Sequence, residues 1–469
     1  MAKLTDPTDL DGLRQALKQL DPDGRLKPLG MKRVVISETA HLGVAAALKE
    51  ALAGRSGTSV VILTDKTPIL RAGERLSTLV ANQLKDGFSA RIACLDDGHD
   101  KLHADETVLA MAAEQAKGAD AIVTIGSGTM TDIGKIAADR NGGVPHVAVQ
   151  TAASVDGFTD NVSVILRNGV KRTVPSRWPT IVLADVVTIG TAPLELNTSG
   201  FGEAISLFTA PADWYLSSLL GLDTTFHPAA LAMLQAAAAE PPAWSSGLAS
   251  GEPASISALT RLLALRGIVS GVSDTTACLS GVEHVISHML DLHHAANHQA
   301  TGLHGAQVGV ASLVASKLWR HAIETDLIQP ERLAKPDIAM IEARIGEAFG
   351  HLGSGIVEEC RRDARAKHAM VSKNWDRVVS VTSNWQHHAS EFGKLVQPAD
   401  TLRAALKSSG GPSEFQGLDP SIPPKLARWA VKNCFLMRNR FNLVDLLDML
   451  GLWTDERIDW ALSEVMEAA

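Results

Sequence analysis

Cysteine is scarce in this sequence, which has only four among 469 residues: Cys94, Cys278, Cys360 and Cys434. No two of them have the short spacing of a paired metal-binding motif, so the pattern excludes a cysteine-based zinc site. Their scatter also argues against a disulfide framework. We therefore expect reduced thiols, as in a cytoplasmic protein.

The sequence also lacks an uninterrupted apolar run of about 18 residues, the length that a membrane-spanning helix needs. Residues 1–30 are too polar for a secretory signal, so we expect no membrane insertion. An excess of positive charge is missing as well, because the formal net charge is −8. This charge argues against nucleic acid or an anionic membrane as the main partner.

What the sequence does contain is enough apolar material for more than one hydrophobic core. Hydrophobic residues make up 45% of the chain and charged residues 20%, as in ordinary globular proteins. Strand and helix patterns alternate over residues 33–185, which predicts a parallel sheet with helices on both faces. Beyond Leu194 only helical patterns follow. We therefore predict an α/β domain over residues 1–195 and a helical domain over residues 196–469.

The predicted elements have the following bounds. Strands cover residues 33–36, 59–64, 90–95, 121–125, 144–149 and 181–184, and helices cover 44–52, 69–84, 104–117 and 130–138. In the second half, helices cover 202–219, 228–238, 256–269, 281–292 and 308–320, with a Pro-, Gly- and Ser-rich loop at 240–253. Ligands of such sheets bind beyond the carboxyl ends of the strands, where Asp65 and the turn at 126–129 are expected.

The stretch AIVTIGSGTMTDIGK, residues 121–135, is the strongest local feature of the first half. An apolar strand runs into Gly126-Ser127-Gly128-Thr129, and a helical pattern begins at Met130. A glycine turn before a helix suits a phosphate, because backbone N–H groups approach the anion and the helix dipole favours its charge. The motif is neither G-x-G-x-x-G nor a P-loop, so alone it predicts either an anion site or a plain turn.

The second half contains a carboxylate and histidines in a pattern typical of metal ligands. His284 and His288 are four residues apart on one helix face, Glu203 lies on another helix, and His304 begins a third. One carboxylate and two imidazoles form the ligand set of a catalytic divalent metal, most naturally zinc. Chance pairs are the alternative, because the chain has 16 histidines. Three further histidines are expected to be solvent-exposed: His293, His294 and His298.

Six motifs occur in a fixed order: GSGTMTD, TAASVDGF, IVLADVVTI, GFGEAISLFTAPADW, SGVEHVISH and HGAQVGV. This series resembles the glycerol-1-phosphate dehydrogenases, which share a superfamily with glycerol dehydrogenases, iron-containing alcohol dehydrogenases and dehydroquinate synthases. The C-terminal LMRNRFNLVDLLDMLG is similar to the tail of the longer bacterial members. The resemblance therefore extends over nearly the whole chain from residue 30 onward. It implies a nucleotide-binding α/β domain followed by a helical domain, the dehydroquinate synthase-like fold.

The resemblance also implies cofactors and roles. NAD or NADP would bind, together with a divalent metal that is zinc, nickel or iron. The implied cofactor positions are Gly126, Ser127, Gly128, Thr129, Met130, Thr151, Ala152, Ala153, Ser154 and Asp160. Asp156 would meet substrate hydroxyls, His288 would contact the substrate, and Glu203, His284 and His304 would bind the metal. Asp65, at the end of the second strand, would contact the adenosine ribose or else cap the next turn.

This sequence departs from the family pattern at several site positions. Glu203 replaces the usual Asp, although the synthase branch also has Glu there, and Gln150 replaces a Pro. Asp160 replaces a cofactor-contacting Ser and adds negative charge near the nicotinamide. The Lys expected after the metal carboxylate is absent, since Ser206 and Leu207 occupy the candidate positions. If that Lys holds the substrate phosphate, another cation must replace it. The candidates, each alternatively a solvated surface charge, are Lys135, Arg167, Lys171 and Arg172.

The function that the resemblance implies is a metal-dependent NAD(P)-linked dehydrogenase, expected as a cytoplasmic homo-oligomer. It would interconvert dihydroxyacetone phosphate and sn-glycerol 1-phosphate. One alternative is a related dehydrogenase of another small polyol or polyol phosphate. A dehydroquinate-synthase-like cyclase is disfavoured, because the stretch DGFTDNVSVI has no Lys after Asp156. A non-catalytic binding protein is a third alternative, and the joint presence of Asp156 and the metal-ligand set argues against it.

Overall fold

The computed structural model describes residues 4–99, 102–167, 170–238 and 243–466, without the side chains of residues 170 and 171. The chain forms two compact units. The first contains Met1–Gly200 and Trp244–Asp274, and the second contains Phe201–Ala243 and Thr275–Ala469. A single boundary near residue 195, as predicted, does not account for the return of Trp244–Asp274 to the first unit. The assignment of a cofactor domain and a metal and substrate domain stays a prediction.

The first unit is built on a six-stranded sheet in which every pairing is parallel. Its strands are β1 (Arg33–Ser37), β2 (Ser59–Thr64), β5 (Ser89–Cys94), β6 (Ala121–Gly126), β7 (His146–Gln150) and β10 (Ile181–Asp185). They are ordered β1-β10-β7-β6-β2-β5. Every residue of β6, β7 and β10 is buried, which explains why these strands are continuous rather than alternating apolar runs.

Helices cover both faces of this sheet, as predicted. They are α1 (Leu10–Leu20), α2 (Val44–Ala51), α3 (Leu76–Leu84), α4 (Glu106–Gln115), α5 (Gly128–Arg140), α6 (Val186–Gly190) and α10 (Pro253–Ser273). Alternate residues of β2 enter different cores: Val60 and Ile62 pack with α2 and α3, whereas Val61 and Leu63 pack with α4 and α5. The predicted α/β fold class is confirmed.

Two short hairpins of the first unit were not predicted. The predicted helix 69–84 begins instead with β3 (Leu70–Arg71) and β4 (Glu74–Arg75), and only α3 is helical. The turn between the strands has positive φ at Ala72 (52°) and Gly73 (83°), which is the backbone of a tight hairpin turn and is incompatible with a helix. The second hairpin pairs β8 (Val162–Arg167) with β9 (Val170–Pro175).

The described part of the second unit is helical. It contains α8 (Ala210–Leu219), α9 (Pro228–Ala237), α11 (Val282–Ala296), α12 (His304–Glu324), α13 (Ile338–Phe349), α14 (Ser354–Lys373), α15 (Trp375–Ser383), α16 (Trp385–Gly393), α17 (Ala399–Ser409), α18 (Pro424–Asn433), α19 (Leu443–Met449) and α20 (Asp455–Leu462). The predicted helix 202–219 is interrupted. Helix α7 (Leu194–Ile205) ends before a 3-10 turn at Ser206–Phe208, and Pro211 lies in the first turn of α8, where a missing N–H costs nothing. The predicted loop 240–253 lies partly outside the described residues, and Ser245–Leu248 within it forms a 3-10 turn.

One described helix, α10, is long and apolar enough to cross a membrane, with 21 residues and a mean hydropathy of 1.3. In the sequence it does not form an uninterrupted apolar run, because Arg261 and Arg266 lie within it. Within the protein, 78% of this apolar stretch is buried. Such extensive burial is typical of a helix in a protein core.

Candidate functional site

Three side chains of the second unit converge on one point. Glu203 lies near the end of α7, His284 lies in the first turn of α11, and His304 is the first residue of α12. One ligand atom from each lies within 4.8 Å of the others. The Nε2 atom of His284 is 3.1 Å from one Glu203 carboxylate oxygen, and that of His304 is 3.9 Å from the other. The structure therefore brings together the predicted carboxylate and two imidazoles.

Two glycines allow this convergence by letting α7 and α12 approach closely. A Cβ added to Gly202 would lie 2.2 Å from the carbonyl oxygen of Gly305, and one added to Gly309 would lie 2.8 Å from the Cα of Gly202. Backbone atoms cannot yield as a flexible side chain would. The glycine immediately before Glu203 is therefore needed to place that carboxylate beside the first turn of α12.

The orientation of His284 is fixed from behind by Glu283. The Nδ1 atom of His284 lies 2.9 Å from Glu283 Oε1, which also accepts from the Gly281 N–H at 2.7 Å. The Thr209 hydroxyl donates to the other oxygen at 2.9 Å. Burial alone would lower the pKa of His284, but the two neighbouring carboxylates outweigh it and raise this pKa to about 9. A carboxylate behind a histidine is the common support of a metal ligand.

His304 is oriented by neutral partners instead. Its Nδ1 atom lies 2.9 Å from the Ser287 hydroxyl, and that hydroxyl donates to the Gln307 side-chain oxygen at 2.7 Å. In this orientation of the Gln307 amide the single hydroxyl proton is used, so Nδ1 of His304 is the donor in the first contact. This assignment leaves Nε2 with its lone pair on the side of Glu203, as metal binding requires.

His288, the predicted substrate-contacting histidine, lies one turn after His284. Its ring stacks on that of His304 at a centroid distance of 5.3 Å and an interplanar angle of 10°. Its side chain is partly exposed. The structure thus places His288 beside the three converging side chains, and its contact with a substrate stays a prediction.

The first unit contains a cavity of about 500 Å³ at the carboxyl ends of its strands. It is lined by residues that follow β2, β6, β7 and β10. From β2 the chain continues to β5 on one side, and from the neighbouring β6 it continues to β7 on the other side. Such a switch point in strand order is where parallel sheets bind ligands. Five predicted cofactor residues line the cavity: Asp65, Gly126, Ser127, Thr151 and Ala152.

The other predicted cofactor positions lie outside that lining. Gly128, Thr129 and Met130 form the first turn of α5, where N–H groups have no acceptor within the helix and attract anions. A Cβ added to Gly128 would lie 2.5 Å from the Val155 side chain, so this glycine also makes room for packing. The N–H of Ala153 donates to Asn197 at 2.9 Å, and Ser154 is buried.

Asp65 caps a turn and also lines the cavity of the first unit. Its Oδ1 accepts from the backbone N–H of Thr67 at 2.9 Å, which caps the turn after β2. The residue also lines the cavity. Capping and a position suited to the ribose are therefore compatible.

Asp160 is held by Lys135 in the first unit. The Lys135 ammonium is fully buried and lies 2.5 Å from Asp160 Oδ1, and it also donates to the carbonyls of Gly157 and Val162. Burial raises the pKa of Asp160 to about 7, although Lys135 acts in the opposite direction. Lys135 is therefore neither a solvated charge nor available to a phosphate, and both predicted alternatives for it are wrong. The role of Asp160 at the cofactor stays a prediction.

The remaining cation candidates differ in exposure. Arg167 is exposed and Arg172 is partly buried, whereas the side chain of Lys171 lies outside the described residues.

At the positions where the Lys is missing, Ser206 and Leu207 are buried. The Ser206 hydroxyl donates to the carbonyl oxygens of Glu203 (2.9 Å) and Leu279 (3.4 Å).

Asp156 has a partner that the sequence analysis missed. The guanidinium of Arg266 in α10 contacts Asp156 Oδ2 at 3.2 Å and 3.3 Å, and Arg266 is fully buried. A charged residue inside an otherwise apolar helix is rarely buried without a partner, and this was the available signal. The ion pair fixes the orientation of Asp156, the carboxylate that is predicted to contact substrate hydroxyls.

Two smaller expectations concern histidines and cysteines. His294 is only 4% exposed and His293 is partly buried, so their predicted exposure is wrong, whereas His298 is exposed. The ring of His293 packs against that of Trp429, with their centroids 5.7 Å apart, and this contact accounts for its partial burial. The four cysteines are free thiols, and only Cys94 is exposed.

A parallel sheet with a cavity at its switch point, and a helical unit with one carboxylate and two imidazoles, form the architecture that the resemblance implies. A sequence model of the iron-containing alcohol dehydrogenases matches residues 39–193. The glycerol-1-phosphate dehydrogenase (NAD(P)+) of Natronomonas pharaonis is 30% identical over 324 residues, which are 65% of this chain and 88% of that protein. The chain belongs to the glycerol-1-phosphate dehydrogenase family, among the iron-containing alcohol dehydrogenases.

Two further comparisons agree. The glycerol-1-phosphate dehydrogenase (NAD(P)+) of Bacillus licheniformis is 29% identical over 301 residues, which are 64% of this chain and 73% of the relative. The crystal structure of maleylacetate reductase from Rhizobium sp. strain MTP-10005 matches with a TM-score of 0.56 and 14% identity, over 94% of this chain and 97% of that chain. At this identity the second likeness shows the fold alone. The predicted family and fold are confirmed.

Proposed function

We propose that this protein is a metal-dependent NAD(P)-linked dehydrogenase that interconverts dihydroxyacetone phosphate and sn-glycerol 1-phosphate. The observation that carries the proposal is the convergence of Glu203, His284 and His304, with each imidazole oriented by a hydrogen bond from behind. The name shared by the curated relatives supports the substrate class.

The three converging residues fit a divalent metal. They offer one carboxylate and two imidazole nitrogens, which leaves a coordination position open for a substrate oxygen. When bound there, the ion supplies Lewis-acid polarisation of the ketone and stabilises the charge that develops on its oxygen. Zinc, nickel and iron(II) all accept such ligands, so metal analysis must decide between them.

The cavity of the first unit fits a dinucleotide. Its pyrophosphate would lie at the first turn of α5, where backbone N–H groups and the helix dipole meet two negative charges. Asp65 would accept from the adenosine ribose hydroxyls, as acidic residues at this position of such sheets do. A carboxylate there repels a 2′-phosphate, so we expect NAD(H) to be preferred over NADP(H).

Two further side chains would handle the substrate. Asp156, oriented by Arg266, would accept hydrogen bonds from substrate hydroxyls. His288 would donate the proton that the reduced oxygen needs, directly or through water. The cofactor supplies the hydride, so the work of these residues is orientation and proton transfer.

The experiment measures NADH and NADPH oxidation with dihydroxyacetone phosphate, together with metal content. Glu203→Gln should lose the bound ion and the activity, whereas Glu195→Gln, an exposed carboxylate on the same helix, should keep both. A wild type that reduces dihydroxyacetone phosphate without a bound ion would contradict the proposal.

A second candidate function is reduction of an unphosphorylated polyol ketone. The observation that favours it is the absence of a cation at Ser206 and Leu207. Equal catalytic efficiencies for dihydroxyacetone and its phosphate would support this alternative.

We also place the enzyme in the cytoplasm as a homo-oligomer without a nucleic-acid partner. The free cysteines and the net charge of −8 support the first and last of these statements. Light scattering tests the oligomer, and a monomer at micromolar concentration would contradict it.

A further inference from the structure

A phosphorylated substrate needs a cation near the proposed metal ligands, and Arg440 of the second unit is the candidate considered for this role. This residue lies in the segment between the 3-10 turn Cys434–Leu436 and α19. Its guanidinium Nη2 donates to the Thr276 hydroxyl at 2.7 Å.

The segment that carries Arg440 is firmly anchored. The Ser217 hydroxyl donates to the carbonyl oxygen of Phe441 at 2.7 Å. The next residue, Asn442, forms a capping box with Asp445 at the start of α19. Since the anchors follow Arg440 directly, the backbone at residue 440 has a fixed position.

Asp213 connects this segment to the helix of the metal ligands. One of its oxygens accepts from the N–H of Leu443 and the other from that of Val282, each at 2.9 Å. Val282 begins α11, two residues before His284. Two backbone nitrogens that donate to one carboxylate are at most about 8 Å apart. The start of α19, which follows the segment of Arg440, therefore lies next to the start of α11.

Arg440 also reaches the turn that packs against the position of the missing Lys. Its partner Thr276 directly precedes the 3-10 turn Ala277–Leu279. The carbonyl of Leu279 accepts from Ser206, one of the two positions where the family has the Lys. Arg440 and Ser206 thus contact opposite ends of one turn, Arg440 from the C-terminal segment and Ser206 from the end of α7.

Arg440 itself has no close counter-ion among the described residues. The residue is partly buried, and no carboxylate of the described residues lies within 4.0 Å of its guanidinium. Asp223 acts on it only at longer range, and its Oδ1 accepts from Thr225 and Phe226. Burial and the neighbouring Arg438 lower the pKa of Arg440. Two adjacent arginines in a partly desolvated place are suited to a phosphate, which guanidinium groups bind with paired hydrogen bonds.

We propose that Arg440, assisted by Arg438, binds the phosphate of the substrate in place of the missing Lys. This inference rests on the proposed function, because it assigns the part of the substrate that the metal ligands do not contact. It makes the C-terminal segment a determinant of specificity for phosphorylated ketones.

The test compares reduction of dihydroxyacetone phosphate and dihydroxyacetone by wild type, Arg440→Met, Arg440→Lys and Arg428→Gln. Arg440→Met should raise the KM for the phosphate ester by about 10- to 100-fold and leave that for dihydroxyacetone unchanged. Arg440→Lys should recover part of the loss. Arg428 forms exposed ion pairs with Asp455 and Asp459, so its replacement should change neither KM. Equal changes for both ketones, or none, would overturn the proposal.

A second variant separates binding from a structural role. Thr276→Val removes the hydroxyl partner of Arg440 but keeps both arginines. It should affect the KM for dihydroxyacetone phosphate much less than Arg440→Met does. If it instead reproduces the defect of Arg440→Met with both ketones, Arg440 only holds the turn and the proposal is wrong.

Calorimetric titration with inorganic phosphate gives a readout independent of turnover. The wild type should bind phosphate and Arg440→Met should bind it at least tenfold more weakly. Equal binding to both proteins, or none to the wild type, overturns the phosphate site. A wild type that reduces neither ketone yet binds phosphate through Arg440 would refute the proposed reaction and leave the site standing.

Discussion

Replacing Glu283 by Gln removes a buried charge behind the proposed metal ligand His284 and keeps the shape of the side chain. The amide oxygen can still accept from His284 Nδ1 and from the Gly281 N–H, and the amide nitrogen can donate to the Thr209 hydroxyl. The geometry of the site should therefore survive. What changes is the charge that makes His284 a strong electron donor.

The expected effect is a 10- to 100-fold weaker metal affinity, the usual result of losing such a supporting group. This corresponds to about 1.4–2.7 kcal/mol. It agrees with replacing a charged hydrogen bond of about 1.5–3 kcal/mol by a neutral one of about 0.5–1.5 kcal/mol. Zinc titration against a competing chelator measures it directly.

The metal-free protein should also become less stable at pH 7. Glu283 is one of the two carboxylates that raise the pKa of His284 to about 9, so its replacement takes a charged partner from a buried imidazolium. The stabilisation gained on adding zinc should shrink as well, because it depends on the affinity. Unchanged zinc affinity, or a metal-free variant as stable as wild type at pH 7, would refute this reasoning.

Three other variants test separate parts of the site. Gly202→Ala should cost about 1–3 kcal/mol in urea unfolding and weaken metal binding, because its Cβ would meet the Gly305 carbonyl at 2.2 Å. Asp65→Ser should raise the efficiency with NADPH relative to NADH by about tenfold, since one charge repulsion of about 1 kcal/mol or more is lost. Arg266→Met should lower kcat, because Asp156 loses the partner that orients it.

Each of these variants has a control or a contradictory outcome. Gly355→Ala adds a Cβ in open space on α14 and should leave unfolding and metal binding intact. An Asp65→Ser protein with the cofactor preference of wild type would remove Asp65 from the ribose site. If Arg266→Met keeps the kcat of wild type and is as stable to urea as the exposed-site variant Arg428→Gln, Arg266 is not needed to orient Asp156.

The sheet could be predicted because its signal is local. Strands β6, β7 and β10 are buried along their whole length, so composition alone marks them. The β3–β4 hairpin could not, because its tight turn depends on positive φ at Ala72, which no propensity suggests. The return of α10 to the first unit was hidden for a similar reason, since chain order says nothing about which unit a helix joins.

The convergence of the proposed metal ligands could be predicted from motif order, but their supporting partners could not. Glu283 and Ser287 are ordinary helix residues until tertiary packing sets them behind His284 and His304. Lys135 is a sharper case. Its spacing from Asp132 is that of a solvated helix pair, yet the ammonium is buried against the carbonyls of Gly157 and Val162.

Tertiary packing also explains the missing Lys after Glu203. In this chain Ser206 is buried, and its hydroxyl joins the end of α7 to the Leu279 carbonyl. A lysine at that position would have to give up this hydrogen bond and bring its charge into a buried turn. Arg440 approaches the neighbouring Thr276 from the C-terminal segment, so a cation can be present without that cost. Read from α7 alone, the sequence favours an unphosphorylated substrate; with the C-terminal segment included, it favours the phosphate ester.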